Sequence, residues 1–204
     1  MLIEAYGDST QYGVTFSQSA GWTQNPYNAP YYLNTSLQAQ FGAAVTVSNQ
    51  GVSSTSAAML LYGTDGAHLP WAQQMAQSRA QIVTINHAIN DSGLGHETPA
   101  DYKFALEQLI GIARAAGRAV VLEEPAPVCH DAAKAALLDQ YILIMESVAQ
   151  SLNVPIVLNY AYIKTLPNWR TMEPDCIHPD ADLYKIIADR ESRVVAPIVA
   201  AMLK

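Results

Sequence analysis

Leu2-Ile3-Glu4-Ala5-Tyr6-Gly7-Asp8-Ser9 opens the chain as a short β-prone run that stops at a glycine, an aspartate and a serine. A run of this length bounded by turn-forming residues reads as a buried strand followed by a tight turn. Four further runs of the same kind follow it: Ala44–Ser48, Gln81–Asn86, Ala119–Glu123 and Val154–Leu158. The intervals between them are too long for hairpins and suit strand–helix–strand crossovers. Pro99–Ala116 predicts a helix, with Thr98 as N-cap, Ala105, Leu109, Ile112 and Ala116 at helical spacing, and Gly117 as its stop. Asp131–Leu152 predicts a second, whose apolar stripe is Leu138, Tyr141, Ile142, Met145, Val148 and Leu152. Asp180–Lys204 predicts a third, with Asp180 in the capping position and Pro197 expected to kink or break it. Strands alternating with helices predict an α/β fold, a three-layer α/β/α sandwich around a five-stranded parallel sheet in flavodoxin-like order. One domain is expected over residues 1–204, with its chemistry at the carboxyl rim of the strands.

Composition narrows what such a domain can do. The 204 residues carry 11 Lys+Arg against 18 Asp+Glu, for a net charge of −7. Half of them are hydrophobic and 14% charged, which excludes a disordered chain. With a pI near 5.1 and no cationic run, the chain lacks what phosphate neutralisation requires, so no nucleic-acid partner is expected. The longest strongly apolar stretch, Val194–Leu203, contains Pro197 and falls short of the roughly 20 residues of a membrane span. Two cysteines make neither a disulfide scaffold nor a four-thiolate metal site. There is no phosphate-binding glycine loop and no His-Glu-x-x-His, so no cofactor and no metal are expected. The start of the sequence lacks a basic n-region and a cleavage site. A domain excised from an exported protein would look the same, which leaves the compartment open.

Ser9 falls at the end of the first strand, where ligands of open α/β sheets bind. A serine hydroxyl needs a base to take its proton and a third group to orient that base. Asp175-Cys176-Ile177-His178 offers both, because a carboxylate and an imidazole three residues apart can project to one side of a single turn. Acyl transfer also needs donors aimed at the developing oxyanion. Asn49-Gln50-Gly51 after the second strand and Ala88-Ile89-Asn90-Asp91 after the third can supply them. No Gly-x-Ser-x-Gly elbow is present, since Thr55 follows Gly51-Val52-Ser53-Ser54.

From Ser9 to Thr64 there is no charged residue and no histidine, while Tyr12, Phe16, Trp22, Tyr27, Tyr31 and Tyr32 fall within 21 positions among Gln and Asn. Two readings stand: a long loop that tucks its aromatics into the core, or a binding surface for a neutral polyhydroxylated ligand. On the second reading Tyr12 and Trp22 are candidate substrate-binding residues. His87 and Glu124, next to the ends of strands three and four, are further candidates to line the pocket, each with a structural alternative.

Four segments in this order, Gly7-Asp8-Ser9, Gly51, Asn90-Asp91 and Asp175-x-x-His178, resemble the blocks of the SGNH (GDSL-type) esterase and lipase family over essentially the whole chain. Ala88 stands where the third block usually has glycine. The resemblance implies Ser9 as nucleophile, His178 as base and Asp175 as its orienting carboxylate. It further implies an oxyanion hole from the Ser9 and Gly51 N–H groups and the Asn90 amide. Gly-Asp-Ser-Thr-Gln-Tyr-Gly is more similar to carbohydrate-esterase and phage-tail-associated members than to secreted lipases. The expected activity is hydrolysis of short-chain, acetyl-like esters on a small molecule or polysaccharide through an acyl-serine. Short-chain lipase, thioesterase or arylesterase activity is the alternative within the family, and a non-catalytic glycan-binding domain the one outside it. Cys129 and Cys176 both fall near the expected rim, and either a disulfide or two thiols fits the sequence. Oligomeric state is left open.

Overall fold

The computed structural model describes residues 1–93, 97–129 and 132–204. In chain order the elements are β1 (Leu2–Gly7), α1 (Ser9–Tyr12), β2 (Val14–Ser17), β3 (Gly21–Gln24), α2 (Ala29–Phe41), β4 (Thr46–Gly51), α3 (Ala57–Tyr62) and α4 (Trp71–Gln77). There follow β5 (Ile82–Asn86), α5 (Ile89–Gly93), α6 (Pro99–Ala115), β6 (Ala119–Glu123), α7 (Ala132–Ser151), β7 (Ile156–Val157), α8 (Tyr160–Lys164) and α9 (Ala181–Met202).

Five strands pair in parallel in the order β4-β1-β5-β6-β7, which is the expected flavodoxin-like arrangement. Successive strand residues face opposite sides of the sheet. Val83, Ile85, Val120 and Leu122 therefore enter one core, with Leu60, Trp71, Leu109 and Met145 from α3, α4, α6 and α7. Ile82 and Val121 enter the other, with Leu33 and Leu37 of α2 and Leu183, Ile187 and Val195 of α9. Each large aliphatic side chain buried this way stabilises the fold by about 1.5–3 kcal/mol, so both helical layers are held by their apolar faces.

The element bounds differ from the sequence expectations in instructive ways. β4 runs on to Gly51, because Asn49, Gln50 and Gly51 pair with Ala5, Tyr6 and Gly7; their polar side chains hide a strand that backbone pairing makes. β7 keeps only two residues, since the Val154 N–H is used on the Ala149 carbonyl at the end of α7 and Pro155 has no N–H to offer. Asp131, the expected start of the second helix, lies outside the described residues. α9 stays continuous through Pro197, whose ring is on the solvent face where water can satisfy the carbonyl it leaves unbonded. The uncharged segment is not one loop. It holds the β2–β3 hairpin, α2, β4 and α3, and Tyr12, Trp22, Tyr27 and Tyr31 stand exposed rather than tucked into the core.

Candidate active site

Ser9 owes its position to the turn before it. Asp8 caps α1, its Oδ1 accepting the Thr10 N–H and the Thr10 hydroxyl, each at 2.8 Å. Ser9 is thereby the first residue of a helix, and its own N–H has no intrahelical acceptor. Both flanking glycines are demanded by close approach. A Cβ on Gly7 would lie 2.5 Å from the Asn86 carbonyl oxygen, and one on Gly51 would fall onto the Tyr12 amide, 2.7 Å from the Gln11 carbonyl carbon. The end of β4 thus packs backbone-to-backbone against the helix that carries the serine.

His178 bridges the two ends of the chain. Its Nε2 lies 2.9 Å from Ser9 Oγ and its Nδ1 2.6 Å from Asp175 Oδ2. An ionised carboxylate only accepts, so Nδ1 carries the proton and Nε2 faces the serine with its lone pair. Asp175 Oδ1 accepts the N–H groups of Ile177 at 3.1 Å and His178 at 2.8 Å, and Oδ2 also accepts the Trp22 indole N–H at 2.7 Å. Burial pushes the Asp175 carboxyl up, but the bonds from His178 and Trp22 outweigh it and hold it below the usual carboxylate range.

The same construction occurs a second time. Asp65 Oδ1 accepts from Ala67 N at 3.0 Å and His68 N at 2.8 Å, and its Oδ2 is 2.6 Å from His68 Nδ1. An Asp-x-x-His turn therefore assembles itself from four residues. At the second copy Nε2 meets the Gln50 side-chain carbonyl at 3.4 Å, where His178 meets a hydroxyl. Cys176, inside the first turn, has φ +66° and is joined to Cys129 by a disulfide, and the Cys129 N–H donates to the Cys176 carbonyl at 3.0 Å. This answers the question the two cysteines posed.

The donors expected at the oxyanion are differently engaged. Asn90, near the start of α5, gives one of its two amide protons to the Thr55 carbonyl at 2.9 Å. The Gly51 N–H donates to Asn49 Oδ1 at 2.9 Å, and the Asn49 amide in turn bonds the Gln11 carbonyl at 3.0 Å and the Tyr12 carbonyl at 3.2 Å, stitching β4 to α1. Ala88 is not among the positive-φ residues, so alanine fits there without strain.

Tyr12 and Trp22 lie at the surface, and Trp22, 67% exposed, reaches the site through its bond to Asp175. His87 and Glu124 do not line the cleft, which corrects the expectation for both: each is 1% exposed, its side chain beneath the rim. Burial lowers the His87 ring to about 4, keeping it neutral, and its carbonyl accepts the Tyr102 hydroxyl at 2.6 Å. Glu124 accepts the Tyr160 N–H at 2.9 Å at the start of α8, and burial raises it to about 7. Glu173, two residues before Asp175, was not singled out from the sequence. It is buried, neither carboxyl oxygen has a hydrogen-bond partner among the described residues, and burial next to Asp175 and Asp180 raises it to about 9. Among the described residues no three His, Cys, Asp or Glu side chains are placed to hold a metal ion, and no helix is long and apolar enough to cross a membrane.

Comparison with known proteins gives three results. The model of the GDSL-like lipase/acylhydrolase family matches residues 5–186. No curated protein matches the chain. Solved structures share the fold at low identity. An acetylxylan esterase from Geobacillus stearothermophilus is 21% identical with a TM-score of 0.73, the match covering 95% of this chain and 93% of the other. A carbohydrate acetylesterase from Sinorhizobium meliloti is 18% identical with a TM-score of 0.72, covering 98% and 99%. An aryl esterase from M. smegmatis is 15% identical with a TM-score of 0.73, covering 96% and 98%.

Proposed function

Since this chain belongs to the GDSL-like lipase/acylhydrolase family, we propose that it hydrolyses short-chain carboxylic esters of a neutral polyhydroxylated alcohol through an acyl-Ser9 intermediate. The observation that carries the reading is the relay from Ser9 Oγ to His178 Nε2 at 2.9 Å and from His178 Nδ1 to Asp175 Oδ2 at 2.6 Å. Ser9 Oγ attacks the ester carbonyl while Nε2 takes its proton, and the imidazolium then gives that proton to the departing alcohol oxygen. A water molecule, deprotonated by the same nitrogen, attacks the acyl-serine and releases the acid and the free hydroxyl. Asp175 stays ionised throughout, holding the ring in one tautomer.

The oxyanion is met by the Ser9 N–H, by the second amide proton of Asn90, and by the Gly51 N–H shared between Asn49 Oδ1 and the substrate. The exposed aromatic and amide side chains of residues 12–32, with Trp22 at Asp175, favour an uncharged sugar on the alcohol side. The acetylxylan and carbohydrate acetylesterases that share the fold point the same way.

The test is acid release from a panel of O-acylated polysaccharides, followed by mass spectrometry for wild type and Ser9→Ala. Turnover by the wild type and loss of it in a folded Ser9→Ala protein is the expected result. A Ser9→Ala enzyme working at full rate overturns the mechanism.

A further inference from the structure

Resting on that esterase reading, we propose that the space between α5, α7 and the Asp175–His178 turn is an acyl-chain site. It takes an apolar acyl group of about four to six carbons, larger than acetyl. The space measures about 200 Å³, and its wall is mostly aliphatic, from Ile89, Val128, Leu137, Leu138 and Ile177, with Asn90, Ser92 and Lys134 as its polar lining. Two of these belong to the chemistry already described. Asn90 offers its amide to the carbonyl oxygen, and Ile177 precedes His178 within the same turn.

A carbonyl held at Asn90 therefore has its carbon substituent facing the apolar wall. The alcohol oxygen leaves past His178, toward Asp175 and the exposed ring of Trp22. The two ends of an ester thus meet different surfaces, aliphatic for the acyl group and aromatic-polar for the alcohol.

Volume sets the size of the group. An apolar cavity of about 150 Å³ is enough to hold benzene. A space of about 200 Å³ admits a ring or a short alkyl chain, and the methyl of an acetyl group would leave most of its aliphatic wall uncovered. The aliphatic lining is drawn from separate segments at 89, 128, 137–138 and 177, so it is assembled by the fold and not by one run of sequence.

The experiment compares kcat/KM for p-nitrophenyl acetate, butyrate and hexanoate in wild type, Leu137→Trp and Ile89→Phe, with folding of each variant checked by circular dichroism. Each methylene moved from water into the site is worth about fourfold, so the butyrate-to-acetate ratio, two methylenes apart, should reach about fifteenfold in wild type. It should fall toward one in either variant that folds. A parallel series varies the alcohol on a constant acetyl group and should show no length effect that these substitutions remove. A preference confined to the alcohol series, or butyrate no better than acetate, overturns the acyl assignment.

Binding separates this inference from the esterase reading. Titrated into Ser9→Ala protein, 2-hexanone should bind about fifteenfold more tightly than 2-butanone, and adding Leu137→Trp should abolish the difference. Equal affinities overturn the site even if esters are hydrolysed. The expected difference sustains the site even if none of the esters tried is turned over.

Discussion

Trp22 donates its indole N–H to Asp175 at 2.7 Å across 153 residues of sequence, and shares Oδ2 with the Nδ1 of His178. The carboxylate therefore accepts four hydrogen bonds, two backbone and two side-chain, and its orientation is fully specified. Phe16, opposite Trp22 across the β2–β3 ladder, packs against the indole with ring centroids 5.3 Å apart and steadies it on the hairpin.

Trp22→Phe removes one donor and leaves the ring. A hydrogen bond to a charged group is worth about 1.5–3 kcal/mol, less where one partner is exposed, so kcat should fall about tenfold with KM for p-nitrophenyl acetate unchanged. Trp22 is among the groups that hold the Asp175 carboxyl down, so the acid limb of the kcat profile should move to higher pH. A change in KM alone, with the profile unmoved, would assign Trp22 to substrate contact only.

Gly51→Ala places a methyl group against the backbone of Tyr12 and Gln11, in the helix that begins at Ser9. Displacements of about 1 Å at a reacting group can cost about a hundredfold in rate, and a loss of that size in kcat is expected. Gly111→Ala is the control: a Cβ there meets nothing within 4 Å and the residue is inside α6, so alanine should raise stability by roughly 0.5–1 kcal/mol. Paired steady-state kinetics and thermal melts distinguish the two.

Reduction of Cys129–Cys176 opens a link between residues 47 apart. Loop-closure entropy for that separation corresponds to about 4 kcal/mol of stability. Melts with and without reductant should show a lower Tm, and kcat should drop with it because the turn holding Asp175 and His178 loses its tether. Unchanged kcat in reduced, folded protein would show that the hydrogen bonds of the turn suffice.

Glu173 gives a pH dependence whose sign can be worked out. It ionises near 4.5 in an unfolded chain and near 9 in the folded one. The stability gained from its neutral form is complete below pH 4.5, declines as pH rises, and is lost by about pH 9. Glu173→Gln cannot ionise, so its gain in Tm over wild type should be larger at pH 8 than at pH 5. A difference in Tm that does not vary with pH would mean that the carboxyl is already ionised in the fold.

What could be read from the sequence was local or periodic. Asp175 and His178 find one another through a four-residue turn, as Asp65 and His68 do, and such a pair is visible as spacing. The five strands and three long helices are visible as runs and stripes, and their alternation implies a parallel sheet. What escaped was made by distant partners. Trp22 has no local mark of its bond to Asp175, and the extension of β4 through Asn49 and Gln50 depends on pairing with β1. His87 and Glu124 sit next to strand ends as active-site residues do, yet their side chains turn inward, and proximity in sequence does not record direction.

The duplicate Asp-x-x-His turn separates making the couple from using it. The pairing of carboxylate and imidazole is set by four residues of local chain in both copies, whereas what Nε2 meets, a hydroxyl in one and a side-chain amide oxygen in the other, is set by which strand end the fold brings opposite.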